Sequence, residues 1–213
     1  MAIAVVAKAP VPGRVKTRMQ PVLSAAQAAD LAAAMLADVT AAAQATGAQV
    51  WWSYAGDRAV LDALRPAGVL LLAQVGEGLG ARLAHAHTTL HGRAERVLLV
   101  GADCPTLDAA ALRSASALLD DHDLVLGPAD DGGYTLAGTR TSAPSLFTAV
   151  PMSTPHTAVD TLAEAERLGL RSAVMTARPD LDRVGDLRHA LAGGWLASAP
   201  RTRAIAAGLV PAS

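Results

Sequence analysis

Short apolar segments alternate with helix-like segments along most of the chain, and this alternation limits the possible folds more than any other feature. The apolar runs lack a regular apolar–polar alternation, which is typical of strands buried on both faces. Helical patterns separate them, so the sequence predicts a single-domain α/β fold with a mostly parallel sheet flanked by helices. The predicted strands are Ile3–Ala7, Gln49–Tyr54, Val69–Leu72, Arg96–Gly101, Leu124–Gly127, Tyr134–Ala137 and Ser172–Thr176.

Local signals indicate where several helices begin and end. Ser24 and Gln27 have the spacing of a capping box before a helix with Leu31, Met35 and Val39 on one face. Further signals are N-caps at Asp57 and Asp108, a helix over Gly80–His91, a cap at Thr154 followed by Pro155, a helix end at Gly169 and a helix near Gly185–Leu191.

Length and composition exclude several classes of protein. The 213 residues suit one domain, which we place at residues 1–194, followed by a tail at 195–213 that can add one more helix packed on it. A net charge of -1 gives no basic field for duplex nucleic acid, and six aromatic residues (three Trp, two Tyr, one Phe) are too few for a base-stacking platform.

The chain also lacks the patterns of membrane and secreted proteins. Apolar runs are too short to span a bilayer, and no signal peptide is visible. Cys104 is the lone cysteine, so no disulfide can form within the chain. We therefore expect a cytoplasmic protein with no membrane and no nucleic-acid partner.

The first loop concentrates positive charge directly after the first strand. Backbone N–H groups and lysine or arginine side chains fixed at a strand end are suited to binding phosphates. The segment therefore predicts a phosphate-binding loop, with a solvated surface loop as the alternative. Its cationic residues and its glycine are Lys8, Gly13, Arg14, Lys16 and Arg18, and no acidic residue precedes Asp30.

Asp103 follows an apolar strand in the turn Gly-Ala-Asp-Cys-Pro. A carboxylate held at a sheet rim beside substrate phosphates is a suitable ligand for Mg²⁺ or Mn²⁺. A residue that caps or turns the chain before the next helix would suit the same position. Cys104 has no histidine–aspartate arrangement that would mark it as a nucleophile, and we expect it to be buried.

Asp180 and Asp182 form a second acidic site after the last predicted strand. In an extended segment both carboxylates point the same way, so they could share a metal ion with Asp103. The alternative is a helix cap, a role that Asp182 or Asp186 could serve.

Two glycine-containing segments complete the motifs. Asp130 and Asp131 precede Gly132 and Gly133, which allow a tight turn and close approach to a ligand, so this segment is either an ordinary hairpin turn or a substrate rim. The segment Gly76–Arg82 could pass a nucleotide base along its backbone. It lacks the Lys-Ser/Thr of a P-loop, and the chain's start has no Gly-x-Gly-x-x-Gly, which disfavours a Walker NTPase or a Rossmann dehydrogenase.

The order of these motifs resembles that in a family of small bacterial proteins described as GT-A-type glycosyltransferase-like. That family is related to 2-phospho-L-lactate guanylyltransferase and, more distantly, to the molybdenum cofactor guanylyltransferases. The resemblance extends from about Ile3 to Leu187, and its most specific parts are Ala7–Arg18 and Pro128–Tyr134.

The resemblance implies a nucleotide-diphospho-sugar transferase fold of the GT-A, Rossmann-like type. One departure is Gly78, where relatives often carry an aspartate. The predicted nucleotide-binding residues are Lys8, Gly13, Arg14, Lys16, Arg18, Gly78, Gly80, Gly132 and Gly133, the metal ligands for Mg²⁺ or Mn²⁺ are Asp103, Asp180 and Asp182, and the catalytic residues are Asp103, Lys16 and Asp131.

The predicted function is metal-dependent transfer from a nucleotide or nucleotide-sugar donor to a small-molecule acceptor that the sequence does not identify. The family description favours sugar transfer, whereas the loop cations suit a pyrophosphate leaving group and hence nucleotidyl transfer. A nucleotide-binding protein without catalysis is the third alternative. Asp130 or Asp131 is the candidate base for an acceptor hydroxyl. A homodimer could form through the apolar tail and Trp51-Trp52, which a buried core would explain equally well.

Overall fold

The sheet has seven strands across the described part of the chain, residues 1–210 of this computed structural model. Its order is β3-β2-β1-β4-β6-β5-β7. Strand β6 is antiparallel to its two neighbours, and the other neighbouring pairs are parallel. The predicted α/β class with a mostly parallel sheet is confirmed. The strands are β1 (Ala2–Lys8), β2 (Gln49–Ala55), β3 (Leu70–Ala73), β4 (Val97–Gly101), β5 (Leu124–Pro128), β6 (Tyr134–Thr139) and β7 (Ser172–Val174).

Helices cover both faces of the sheet. Alternate residues of β1 belong to different cores: Ile3 and Val5 pack with one cluster, and Ala2 and Ala4 with another. The helices within residues 1–210 are α1 (Ala25–Gln44), α2 (Arg58–Leu64), α3 (Gly78–His91), α4 (Ala109–Leu118), α5 (Ser145–Thr148), α6 (Thr157–Arg167), α7 (Val184–Ala192) and α8 (Pro200–Leu209), and a 3₁₀ turn spans Thr17–Met19.

Several helix signals act as the sequence predicts. The backbone N–H of Gln27 donates to Ser24 Oγ (3.2 Å), and Ser24 N–H donates to Gln27 Oε1 (2.8 Å), which completes the capping box of α1. Asp57 and Asp108 accept hydrogen bonds from the first turns of α2 and α4. Gly169 ends α6 with a φ of +70°, a conformation that glycine adopts without a Cβ clash.

Other expectations were wrong. Helix α6 begins at Thr157, two residues after Pro155, because the Thr154 hydroxyl accepts from the His156 N–H in a turn that precedes the helix. Helix α3 already begins at Gly78, two residues before the predicted start at Gly80, and it ends at His91 as predicted. Strands β3 and β7 form the sheet edges and are not buried on both faces. Helix α5 was not predicted.

The C-terminal helices build a third, smaller core against α1. Helix α8 packs on α1 and α7 and supplies Ala206 to a cluster that also contains Met19 of the 3₁₀ turn and Leu181. The predicted tail runs to Ser213, and its last three residues lie outside the described residues.

Two further expectations concern membranes and tryptophans. Trp51 and Trp52 are buried in the sheet, and Trp52 Nε1 donates to Thr40 Oγ1 (2.8 Å), so their burial is explained within one chain. Across residues 1–210, none of the helices has the length and apolar character needed to cross a bilayer.

Candidate functional site

A cavity of about 510 Å³ lies at the carboxyl ends of β1 and β4. Ligands of open α/β sheets bind at this edge, beside the loops that follow the carboxyl ends of the parallel strands. The cavity is bounded by the first loop, the β4–α4 turn, the β5–β6 hairpin and the segment before α7. Its charged lining residues are Arg18, Asp103, Asp131, Asp180 and Asp182.

Lys16 connects three of these segments. Its Nζ lies 2.7 Å from Asp103 Oδ1 and 3.4 Å from Asp182 Oδ1, and it donates a 2.6 Å hydrogen bond to the Leu181 carbonyl. The side chain is only 3% exposed, so this ammonium group is fixed by its partners. Its backbone has a φ of +47°, the left-handed region that non-glycine residues rarely adopt and that clusters at functional sites.

Asp182 receives a second cation from the same loop. Arg18 Nη1 lies 2.5 Å from Asp182 Oδ2, so this carboxylate contacts both Lys16 and Arg18. The helix cap considered for Asp182 is instead formed by Asp186, whose Oδ2 accepts from the N–H groups of Asp182 and Arg183. The Asp182 carboxylate therefore faces the cavity.

Asp103 likewise does not cap the following helix, since Asp108 does so. Its carboxylate is half exposed to the cavity and paired with Lys16. Beside it, burial raises the pKa of the Cys104 thiol well above its ordinary value, with a further contribution from the Asp103 charge. The neutral thiol is unsuited to act as a nucleophile, as the sequence indicated.

Asp180 is the carboxylate whose titration the site changes most clearly. Partial burial, and after it the negative charges of Asp131 and Asp182, raise its pKa from 3.8 to about 6. The charges of Asp180 and Asp131 therefore interact although the two residues come from different segments that bound the cavity. A cation placed among these acids would lower this pKa again.

The β5–β6 hairpin is a tight turn, as one interpretation of this segment expected, and it also lies at the rim of the cavity. That this rim contacts a substrate stays a prediction. Asp131 Oδ1 accepts from the Gly133 N–H (2.9 Å) within the turn, and Asp131 lines the cavity. Gly132 has a φ of +86°, and its carbonyl accepts from the Ala158 N–H of α6 (2.9 Å). A Cβ at Gly132 would lie 2.0 Å from the Pro155 carbonyl oxygen.

Not every predicted residue reaches the cavity. Lys8 and Arg14 are exposed and do not line it, and Gly13 lies in an exposed turn with a φ of +78°. Gly78 and Gly80 line a neighbouring cavity instead. Lys16 does not line the cavity itself but contacts Asp103 and Asp182, which do, and Gly132 does not line it. The predicted residues in the lining are Arg18, Asp103, Asp131, Gly133, Asp180 and Asp182. Their chemical roles stay predictions.

The sequence did not reveal the apolar wall of the cavity. Leu83, Leu99 and Met152 line it together with Leu79, which was considered only as part of a base-side segment. Ser153, also in the lining, has a φ of +61°. Leucines at helical spacing look the same whether they face a core or a cavity, so no sequence signal separated them.

The acidic residues do not form a preformed metal cage. Within residues 1–210, no three His, Cys, Asp or Glu side chains are close enough together to hold a metal ion. The two carboxylates that converge most closely, Asp103 and Asp182, share Lys16.

Solved structures show the same fold. A Desulfovibrio desulfuricans protein, for which a nucleotide-diphospho-sugar transferase activity has been proposed, is 26% identical, with a TM-score of 0.85 over 98% of this chain and 97% of that one. CMP:2-keto-3-deoxy-manno-octonic acid synthetase in complex with CTP is 15% identical, with a TM-score of 0.57 over 88% of this chain and 95% of that one.

A third match is a Mycobacterium tuberculosis protein in complex with manganese, 19% identical, with a TM-score of 0.53 over 85% of this chain and 91% of that one. The expected nucleotide-diphospho-sugar transferase fold is therefore confirmed. A sequence comparison with curated proteins finds no match. A family of uncharacterized proteins conserved in bacteria (DUF2064) matches residues 16–154, about two thirds of the sequence, and the chain belongs to this family.

Proposed function

We propose that this protein is a divalent-metal-dependent transferase that takes a nucleotide-diphospho-sugar donor and transfers its sugar to a small-molecule acceptor. The observation that carries the proposal is the position of Lys16 Nζ, between Asp103 and Asp182 at the carboxyl edge of the sheet. A fixed cation between two carboxylates, beside a cavity large enough for a small ligand, suits a place where phosphates and a metal ion meet.

The chain itself provides positive charge for the donor's phosphates. Lys16 is held by its three partners, and Arg18 lies at the cavity with most of its side chain exposed. Arg18 can turn toward phosphate oxygens at the cost of weakening its contact with Asp182, whereas the fixed Lys16 contributes its charge from its present position. Such cations stabilise the negative charge that builds on a departing diphosphate.

The acidic residues fit a metal ion that is shared with the donor. Mg²⁺ is usually bound by one or two carboxylates plus substrate phosphates, and Asp103 and Asp182 supply such a pair, with Asp180 nearby. The raised pKa of Asp180 supports the fit, because burial and then the charges of Asp131 and Asp182 disfavour its ionised form, which a cation would stabilise. A bound Mg²⁺ or Mn²⁺ would supply Lewis-acid stabilisation of the diphosphate leaving group.

Asp131 is the proposed general base. Its Oδ1 is engaged with the Gly133 N–H, so Oδ2 is the oxygen that would accept the proton of an acceptor hydroxyl. The acceptor oxygen forms a bond to the sugar's anomeric carbon while the bond from that carbon to the diphosphate oxygen breaks. The diphosphate leaves with the electron pair, and the proton passes to Asp131.

Nucleotidyl transfer is the second candidate. It is favoured by the fold shared with a synthetase that was crystallised with CTP. In that reaction the acceptor attacks the α-phosphate, and pyrophosphate leaves. The released product separates the two candidates: a nucleoside diphosphate for sugar transfer, pyrophosphate for nucleotidyl transfer.

A thermal-shift panel tests the proposal without a known acceptor. Nucleoside triphosphates, UDP-sugars and GDP-sugars are each added with and without Mn²⁺, because a ligand that binds the folded state raises Tm. We expect Mn²⁺-dependent stabilisation by a nucleotide sugar, lost in Asp103→Asn and kept in Asp121→Asn, an exposed residue outside the cavity. Stabilisation by triphosphates alone would favour nucleotidyl transfer. If metal-dependent binding persisted in Asp103→Asn, Asp103 would not be a metal ligand.

A further inference from the structure

The two ends of the main cavity differ in chemistry. One end carries the four aspartates and Arg18, whereas the opposite wall is formed by hydrocarbon and thioether groups. The apolar residues used below are Leu79, Leu83, Leu99, Tyr134 and Met152. Such a cavity has a polar end, where a reaction could take place, and a long apolar surface. Covering this surface with an apolar group of a ligand lowers the free energy.

Among the five wall side chains named above, the Tyr134 hydroxyl is already engaged. The Tyr134 hydroxyl donates to Met152 Sδ (3.6 Å), and burial raises the pKa of Tyr134 above its usual range, so the phenol stays neutral. Leu79, Leu83, Leu99 and Met152 offer no strong donor or acceptor, whereas the hydroxyl residues of the same lining are Thr135, Ser153, Thr154 and Thr157. A nucleobase is recognised through hydrogen bonds along its edges, which the four apolar side chains do not provide.

The apolar surface continues beyond the main cavity. A second cavity of about 390 Å³ adjoins it and shares Leu79, Met152 and Ser153 in its lining. Phe147 and Val150 line its far side. Leu79, at the junction, is 41% exposed and therefore accessible to a ligand.

Close backbone packing fixes the shape of this junction. A Cβ at Gly80 would lie 2.2 Å from the Phe147 carbonyl oxygen, so α3 and α5 can approach this closely only with glycine there. On the other side, Ser153 holds a left-handed conformation. The junction is therefore built into the backbone rather than formed by mobile side chains.

We propose that the acceptor is an amphipathic small molecule. Its reactive hydroxyl lies at the aspartate end, and its apolar body covers Leu79, Leu83 and Met152 and extends toward the second cavity. The inference rests on the proposed transferase function, which gives the aspartate end its reacting role. It adds the chemical class of the acceptor.

The test uses the full-length protein and primary alcohols as probes. Protein carrying ¹³C-methyl methionine is titrated with 1-butanol, 1-hexanol and 1-octanol, and the Met152 methyl signal is assigned with Met152→Leu. We expect the Met152 signal to shift in a saturable way while that of Met35, buried in the C-terminal core, stays in place. Each two added methylene groups should tighten Kd by about tenfold.

A matched pair of variants separates the cavity from general effects of alcohol. Leu79→Glu places a charge on the wall, and Leu64→Glu makes the same change at a residue of α2 that is 45% exposed and outside both cavities. We expect Leu79→Glu to weaken 1-octanol binding at least tenfold and Leu64→Glu to leave it unchanged. Equal effects in the two variants, or a Kd that does not depend on chain length, would overturn the proposal.

A nucleobase in the same place is the competing occupant. It predicts that Leu79→Glu weakens binding of nucleoside triphosphates but not of inorganic tripolyphosphate, and that result would also overturn the proposal. The alcohol titrations contain neither nucleotide nor metal. Failure of the transferase function would therefore show in the Mn²⁺-dependent panel, and failure of the acceptor class would show in the alcohol series.

Discussion

The Asp38 carboxylate of α1 caps helix α8, because its Oδ2 accepts a 2.7 Å hydrogen bond from the Thr202 N–H. Helix α8 has no capping side chain of its own: its N-cap is Ala199, followed by Pro200. Asp38 is 4% exposed, and its Oδ1 also accepts from the Arg201 N–H. Asp38, which lies 164 positions before Thr202, therefore caps α8 in place of a local N-cap side chain.

Asp38→Ala should therefore destabilise the fold by about 1–3 kcal/mol, since buried N–H groups of α8 lose their acceptor. Urea denaturation measures this change in the free energy of unfolding. Asp38→Asn should cost less, because an amide oxygen can still accept. Asp30→Ala, at an exposed position of the same helix, is the control, and a loss of equal size there would contradict the capping role.

Asp180→Asn should stabilise the protein near neutral pH. The folded-state pKa of about 6 exceeds the ordinary value of 3.8, so the folded protein binds this proton more tightly than the unfolded chain does. The free-energy penalty of ionising Asp180 in the folded protein is lost well below pH 3.8, grows as the pH rises from about 4 to 6 and is complete above that. After discounting for solvent screening, we expect a gain of the order of 1 kcal/mol at pH 7.5 and a much smaller one at pH 4. Denaturation at both pH values checks this, and a pH-independent gain would assign the effect to another cause.

Lys16→Met should impair both stability and turnover. The substitution leaves the Leu181 carbonyl and the Asp103 carboxylate without this partner, at a cost of about 1–3 kcal/mol. Loss of an electrostatic group of this kind typically reduces the rate by about 10²-fold or more. Arg14→Met is the matched control, because Arg14 is exposed in the same loop and does not line the cavity. If both variants bound nucleotide equally well and were equally stable, Lys16 would contribute no more than Arg14 to binding or to stability.

Gly132→Ala should displace the β5–β6 hairpin from α6. The added Cβ would meet the Pro155 carbonyl at 2.0 Å, in a backbone conformation with a φ of +86° that alanine disfavours. We expect a destabilisation of about 1–3 kcal/mol and a fall in activity, because Asp131 precedes this glycine. Gly185→Ala in α7 has open space for its Cβ and should be neutral or slightly stabilising. Thermal unfolding of the two variants gives the comparison.

The sequence predicted what depends on neighbours along the chain. Apolar runs, the Ser24 capping box and the Gly169 helix end are local signals, and each was found in the structure. The rim acids could also be placed, because strand ends converge at one edge of the sheet. The fold class could therefore be predicted from the sequence.

What the sequence could not show depends on contacts between distant segments. Asp38 lies within a regular helical pattern, and nothing near it marks a cap for another helix. Nothing near Lys16 in the sequence indicates that it contacts Asp103 and the Leu181 carbonyl, and its assignment to phosphates stays a prediction. Leu79 follows a helical pattern whether it faces a core or a cavity.

The contact between Lys16 and Asp182 joins residues 166 positions apart. During synthesis, the first loop therefore leaves the ribosome long before the acids that hold its lysine exist. Until residue 182 has emerged, Lys16, with its left-handed backbone, lacks two of its partners, the Leu181 carbonyl and the Asp182 carboxylate. The nascent chain can therefore complete the contacts of Lys16 only after all seven strands of the described sheet have been synthesised.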